Sequence, residues 1–253
     1  MESHIFVKEY PVRSYEYGPD EKVTLLSLLN YMQDAAVQHS RERGYSIEQL
    51  FQLGITWVLY RLHLIVEKRP LWNETVVVHT WPYALQGLHA IREFHLTDSA
   101  GRTFAKASTQ WILIDFRKKR PARIPAEMYT AFHHVEKRMV EDDFPRLPRP
   151  ESETFRKEIP TRRAELDSNG HVNNVWFADW ALEALPEDPF GRLGLRSLEV
   201  MFKQEARFPE TILSVAEVEE NHSTETICLH RLFRRSDGSE LALVRTIWAP
   251  NEI

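Results

Sequence analysis

The chain has 253 residues, 43% hydrophobic and 27% charged. This composition supports a sizeable core and excludes overall disorder. Nine glycines, about half the usual share, argue against a fold built on several phosphate-binding glycine loops, and a net charge of −5 lacks the Lys/Arg excess that nonspecific nucleic-acid binding runs on.

Taken in chain order, residues 1–8 hold no basic segment followed by an apolar run, and no stretch approaches the roughly 18 apolar residues of a membrane span. With a single cysteine, Cys228, no internal disulfide can form, and the expectation is a soluble cytoplasmic protein. Residues 6–14 read as a strand. Residues 24–39 read as a helix whose apolar positions (Leu25, Leu26, Leu28, Leu29, Tyr31, Met32, Ala35 and Ala36) occupy more than one face, so it should be buried on most sides. Alternating runs at 91–97 and 103–114 flank Asp98-Ser99-Ala100-Gly101 and read as a hairpin. A basic stretch follows, Arg117-Lys118-Lys119-Arg120-Pro121-Ala122-Arg123. Residues 141–154, with Pro145, Pro148, Pro150 and many charges, read as a linker.

The remainder repeats the first part. A strand at 155–165 precedes an apolar helix at 173–185, which carries Val175, Trp176, Phe177, Trp180, Ala181, Leu182 and Leu185. Pro209-Glu210-Thr211-Ile212-Leu213-Ser214 resembles Asn73-Glu74-Thr75-Val76-Val77-Val78, 136 residues earlier. Runs at 226–233 and 241–248 flank Arg235-Ser236-Asp237-Gly238. Gly101 and Gly238, like Trp111 and Trp248, stand 137 residues apart. The predicted fold class is therefore α+β. Two tandem copies, 1–140 and 155–253, would each wrap a long central helix in a curved antiparallel sheet. Cys228 alternates within its strand as a core thiol.

Chemistry concentrates just ahead of the second helix, in Asp167-Ser168-Asn169-Gly170-His171-Val172-Asn173-Asn174. Asp167, Asn169 and His171 alternate by two and so share one side of an extended segment. His171 stands at the helix entrance, where unpaired backbone N–H groups and the helix dipole suit a developing oxyanion. A carboxylate beside an imidazole fixes its tautomer and raises its basicity. Capping a helix needs one such residue, not this set. In the first copy, 149 residues earlier, Gly18, Asp20 and Lys22 stand opposite Asp167, Asn169 and His171. One repeat should be catalytic and the other should serve binding. His133 and His134 are adjacent and do not converge as i, i+4 ligands, so no metal and no cofactor is expected.

The stretch from Asp167 through Asn169, His171-Val172-Asn173-Asn174 and into the aromatic helix at Trp176, Phe177 and Trp180 resembles the acyl-acyl-carrier-protein (acyl-ACP) thioesterases, as a bacterial member. The family's fold is the double hotdog. The resemblance covers nearly the whole chain and implies hydrolysis of fatty acyl-ACP to free fatty acid. It implies a catalytic Glu on a strand after the second helix, matched by Glu205. A Cys follows that Glu in plant members, but Ala206 stands here, so no cysteine acyl-enzyme is expected. Glu205 or His171 would activate water, Asn169 would orient it or the carbonyl oxygen, and Asp167 would hold Asn169 and His171 in place. The backbone N–H groups of Val172 and Asn173 would stabilise the oxyanion. Met32, Trp57, Leu59 and Trp111 would wall an acyl tunnel in the first repeat. The acidic partner would dock on Arg117, Lys118, Lys119, Arg120 and Arg123, since a local basic patch steers it even on an acidic protein. An acyl-CoA thioesterase of the same fold, a hotdog dehydratase and a non-catalytic acyl-binding protein are the alternatives. Monomer or homodimer stays open.

Overall fold

The computed structural model describes residues 4–219 and 225–250. The chain divides into two compact units, Met1–Asp142 and Asp143–Ile253. The first contains β1 (Phe6–Pro11), α1 (Leu25–Glu42), α2 (Ile47–Leu53), β2 (Ile55–Val66), β3 (Thr75–Gln86), β4 (His89–Thr97), β5 (Thr103–Asp115), the two-residue β6 (Arg120–Pro121) and α3 (Ala126–Ala131). The second contains β7 (Phe155–Pro160), a 3-10 turn (Arg163–Glu165), α4 (Val175–Leu182), β8 (Leu193–Phe202), β9 (Thr211–Glu219), β10 (Thr226–Arg234) and β11 (Glu240–Pro250). Strands in the first unit run antiparallel in the order β1-β3-β4-β5-β2, and in the second β7-β9-β10-β11-β8. The two orders correspond strand for strand, and α1 and α4 each pack on the sheet of their own unit.

Register repeats as well as order. Pro11 pairs with Thr75 and Pro160 with Thr211; Trp111 pairs with Leu59 and Trp248 with Leu195. Each tryptophan Nε1 donates to the threonine two residues earlier, Trp111 to Thr109 and Trp248 to Thr246, both at 2.9 Å. Side chains two apart share one face of a strand, so the same pair of residue types recreates the same bond.

Several boundaries differ from expectation for local reasons. The strands predicted over 6–14 and 155–165 stop at Pro11 and Pro160, which have no N–H of their own to give a ladder, and beyond them Val12 N and Thr161 N reach on to Glu74 O and Glu210 O. The first helix runs beyond residue 39 to Glu42 and is capped by Thr24, whose side chain accepts from Ser27 N. The second is only eight residues long. Leu185 N donates to Leu182 O in a tightened last turn, and Pro186 disfavours helix at the residue before it. The predicted linker is coil, but it is strapped to the second unit. Arg149 grips Glu240 with two bonds of 2.9 and 3.1 Å, and Ser152 Oγ donates to Glu217 at 2.9 Å.

The cores hold two histidines kept neutral. In the first unit, His39 lies between Arg92 (3.1 Å) and Arg43 (3.2 Å), and burial together with these cations pulls it down to about 3. His230 is fully buried in the second unit, 2.9 Å from Thr246 Oγ1, and burial pulls it down to about 4. Burial also lowers His79 and His95. Asp179 acts oppositely, raised to about 6 by burial and by Glu183. Below pH 6.5 the unfolded chain takes up histidine protons that the native chain refuses, so stability falls as pH falls. Each such proton is worth about 1.4 kcal/mol per pH unit, and Asp179 and Glu93, the latter also raised by burial, oppose part of the histidine contribution. His230→Gln should therefore flatten the slope of unfolding free energy between pH 6 and 5 by about 1.4 kcal/mol per pH unit. A slope unchanged by the substitution contradicts the neutral buried state.

Candidate active site

The loop bearing Asp167, Asn169 and His171 is closed by an isolated antiparallel bridge between Leu166 and Val172. Inside it Asp167 N donates to His171 O (2.7 Å) and Gly170 N to Asp167 O (3.1 Å), with Gly170 at φ +76°, a conformation that favours glycine. The Asp167 carboxylate accepts from Asn169 N (2.8 Å) and His171 N (3.2 Å). That is an Asx-type turn: the carboxylate shapes the backbone that carries His171.

The matching carboxylate comes from the other side. β8 ends at Phe202, and Lys203 N and Gln204 N both turn onto Leu241 O. Glu205 therefore lies in the loop after the strand, not on the strand as predicted. Three bonds set its place. Val172 N donates to Ala206 O (2.9 Å), Arg234 donates to Glu205 O (3.1 Å), and Thr161 Oγ1 donates to Arg207 O (3.0 Å). The first ties this loop directly to the motif loop and brings His171 Nε2 to 3.2 Å from Glu205 Oε2. Both side chains are solvent-accessible, His171 at 32% and Glu205 at 49%. Ala206 is fully buried, and Cys228 is sealed in the core with its thiol pushed up to about 12 by burial, so neither position offers a nucleophile.

A third side chain, missed in the sequence, completes the cluster. Arg207 donates from Nε to Glu205 Oε1 (3.0 Å) and approaches His171 Nε2 with a terminal nitrogen at 3.1 Å. Its place two residues after Glu205, in a turn pinned by Arg207 N on Glu210 (3.1 Å), is the signal that could have found it.

The expected backbone oxyanion donors need correction. Val172 N donates to Ala206 O, and Asn173 N to Glu165 O at 2.8 Å. Val175 N turns to the Asn173 side chain, while Trp176 N and Phe177 N bond to Asn173 O and Asn174 O. The 172 and 173 donors hold the loop against its neighbours and cannot also receive substrate oxygen. Asn169 is exposed at the loop tip, and its side chain bonds to no described residue.

The first unit repeats this scaffold almost bond for bond. Tyr17 bridges Val23, Gly18 N donates to Lys22 O, Glu21 N donates to Gly18 O, Val23 N donates to Pro70 O and Thr24 N donates to Glu16 O. Gly18, Asp20 and Lys22 thus occupy the places of Asp167, Asn169 and His171, as the sequence offset predicts. The 136-residue offset puts Arg69 at the place of Glu205, and Arg69 forms an ion pair with Asp20. The imidazole–carboxylate pair is absent from this copy.

Of the expected acyl-pocket residues, Leu59 and Trp111 are direct cross-strand partners, Met32 is buried on α1, and Trp57 packs against Leu50, Leu113, Ile124, Met128 and Phe132. The five basic residues at 117–123 are all exposed around the β5–β6 turn. Lys118 pairs with Asp115 (3.3 Å), and Arg117 donates to Gln52 O (3.3 Å). Lys119, Arg120 and Arg123 have no ion-pair partner among the described residues. No helix among those residues is long and apolar enough to cross a membrane.

Two family models match the chain, the acyl-ACP thioesterase N-terminal domain over residues 3–132 and the C-terminal domain over residues 149–250. A chloroplastic palmitoyl-acyl carrier protein thioesterase of Cuphea hookeriana is 28% identical over 97% of this chain, which spans 62% of that relative's length. The solved 12:0-ACP thioesterase from Umbellularia californica is 26% identical and superposes with a TM-score of 0.88 over 99% of this chain and 96% of its own. An acyl-ACP thioesterase from Bacteroides thetaiotaomicron, 20% identical, shares the fold with a TM-score of 0.85 over 98% of each chain. The fold class is α+β, a double hotdog.

Proposed function

The chain belongs to the acyl-ACP thioesterase family, and from that premise we propose that it hydrolyses the thioester of a fatty acyl chain carried on acyl carrier protein, in the cytoplasm. The observation that carries the reading is the His171 Nε2–Glu205 Oε2 contact of 3.2 Å, present in one repeat and replaced in the other. Water attacks the thioester carbonyl carbon and gives its proton to the His171–Glu205 pair. The carbonyl π electrons move to oxygen as the C–O bond forms. On collapse the C–S bond breaks, the carrier's sulfur takes a proton back from the pair, and a free fatty acid and a thiol leave. Asn169, exposed at the tip of the same loop, orients the water or the carbonyl oxygen, and Asp167 holds the loop in shape.

In this reading the first repeat, 1–140, binds the acyl chain, with Met32, Trp57, Leu59 and Trp111 as walls, and 155–253 supplies the chemistry. Free-fatty-acid analysis in cells expressing the protein, with His171→Ala as control, tests it. Accumulation with the native protein alone is expected, and equal fatty acid from both would contradict it.

The carrier is acidic and would dock on Arg117, Lys118, Lys119, Arg120 and Arg123, three of which have no ion-pair partner among the described residues. Lys118→Glu with Lys119→Glu should raise KM for acyl-ACP about tenfold or more and leave KM for acyl-CoA within about twofold, the ratio expected when steering charges are reversed. Equal effects on both substrates would place docking elsewhere. The acyl-CoA alternative uses the same chemistry, and the ratio of the two turnovers decides it.

A further inference from the structure

Attack on a thioester puts a full negative charge on the carbonyl oxygen, and the backbone groups best placed to receive it, the N–H of Val172 and of Asn173, are spent on Ala206 O and Glu165 O. With those two N–H groups taken, a charged side chain beside the pair is the strongest donor on hand. We propose that the Arg207 guanidinium is that donor, and so a catalytic residue of the hydrolysis; the inference rests on the hydrolytic reading above.

The geometry is specific. One terminal nitrogen of Arg207 lies 3.1 Å from His171 Nε2 and 2.5 Å from Glu205 Oε1, to which Nε also donates at 3.0 Å. The guanidinium therefore touches both members of the pair assigned to activate water. It is 58% exposed and open to substrate. A guanidinium has five N–H donors, and the contacts with Glu205 and His171 leave some unused. Three neighbouring cations are committed to carboxylates, Arg234 to Glu210 (3.0 Å), Arg162 to Glu165 (2.7 Å) and Lys203 to Glu240, and Arg163 lies over the Phe208 ring at 4.5 Å. The corresponding place in the first repeat, Leu71, holds no cation, as fits a copy without the chemistry.

The contact at Nε2 also gives a sequence of events. Arginine only donates, so the 3.1 Å contact is a hydrogen bond when His171 is neutral and its Nε2 lone pair faces Arg207. When the proton from water reaches Nε2, that nitrogen becomes a donor and turns to Glu205. The Arg207 N–H is released at the moment the oxyanion forms, and the charge on oxygen replaces the lost lone pair as its acceptor. The proton moves from water to nitrogen, no bond to arginine is made or broken, and collapse of the intermediate reverses the exchange.

Steady-state kinetics on acyl-ACP and acyl-CoA with Arg207→Ala and Arg207→Lys test the assignment. Arg207→Ala is expected to lower kcat by about 10²- to 10³-fold on both substrates, the usual cost of one oxyanion donor, with KM changed by less than about threefold. Arg207→Lys should fall between, because it keeps the charge but loses the planar fork. Added guanidinium at millimolar concentration should restore part of the Arg207→Ala activity, a response that a purely structural role would not give. A kcat kept within about threefold by Arg207→Ala overturns the proposal. So does a loss confined to KM for acyl-ACP, which would make Arg207 a carrier contact. So does a rate that recovers fully at another pH, which would make it only a positioning residue for Glu205. Absence of turnover by the wild type on either substrate overturns both this proposal and the hydrolytic reading; wild-type turnover with an unaffected Arg207→Ala variant overturns this proposal alone.

Discussion

Glu205→Gln is expected to reduce hydrolysis of an acyl-ACP thioester by about 10³-fold, within the range that a positioned acid–base group contributes, while the melting temperature stays within a few degrees. Glutamine keeps the shape of the side chain and a carbonyl oxygen for the Arg207 Nε bond at 3.0 Å. It loses the negative charge that faces His171 Nε2 at 3.2 Å, and with it the ability to stabilise an imidazolium or take a proton. Stability should barely move because Glu205 is half exposed, and exposed ion pairs are worth little. His171→Ala should give a loss of the same order, since the two groups act as one unit and their effects do not add. Initial rates of free-thiol release at saturating substrate measure both. A Glu205→Gln enzyme with more than about a tenth of the native rate would leave the carboxylate without its assigned role.

Asp167 gives the second large effect, and here the chemical form of the substitution carries the test. Its carboxylate touches two backbone N–H groups, those of Asn169 and His171. Asparagine retains the acceptor oxygen and the preference for an Asx turn, so Asp167→Asn should keep the rate within about fivefold. Asp167→Ala frees both N–H groups, loosens the segment between Leu166 and Val172 and lets His171 drift from Glu205. A misplacement of about 1 Å costs on the order of 10²-fold, and that is the loss expected for the alanine variant. Should the two variants lose activity equally, Asp167 would act through its charge rather than through the backbone.

Much of the fold was legible because it is written twice. Trp111 and Trp248, Gly101 and Gly238, and the strands at 73–78 and 209–214 each carry the period, and the structure returns the same strand order and the same cross-strand partners. What the sequence concealed depends on contacts distant in the chain. That Val172 N would be taken by Ala206 O could not be seen from the motif, because a free helix N-terminus and one bound by a neighbouring loop look alike in one dimension. The placement of Glu205 beyond the end of β8 follows from Lys203 N and Gln204 N meeting Leu241 O, again a long-range event. Arg207 was overlooked because a lone arginine near the end of a predicted strand resembles any solvated cation. The bonds of Asp167 run to N–H groups two and four residues on, a local pattern that the Asp-x-Asn-Gly-His spacing does contain.

The central claim is that thioester hydrolysis is carried by the His171–Glu205 pair of the second repeat. Its most direct test is one experiment on purified protein: release of free thiol and fatty acid from acyl-ACP by the native chain, by His171→Ala and by Glu205→Gln, with acyl-CoA run in parallel. Native turnover on acyl-ACP exceeding that on acyl-CoA, and a loss of about 10³-fold in each variant, is the predicted result. Native-level thiol release by either variant, or none by the native chain, would contradict it.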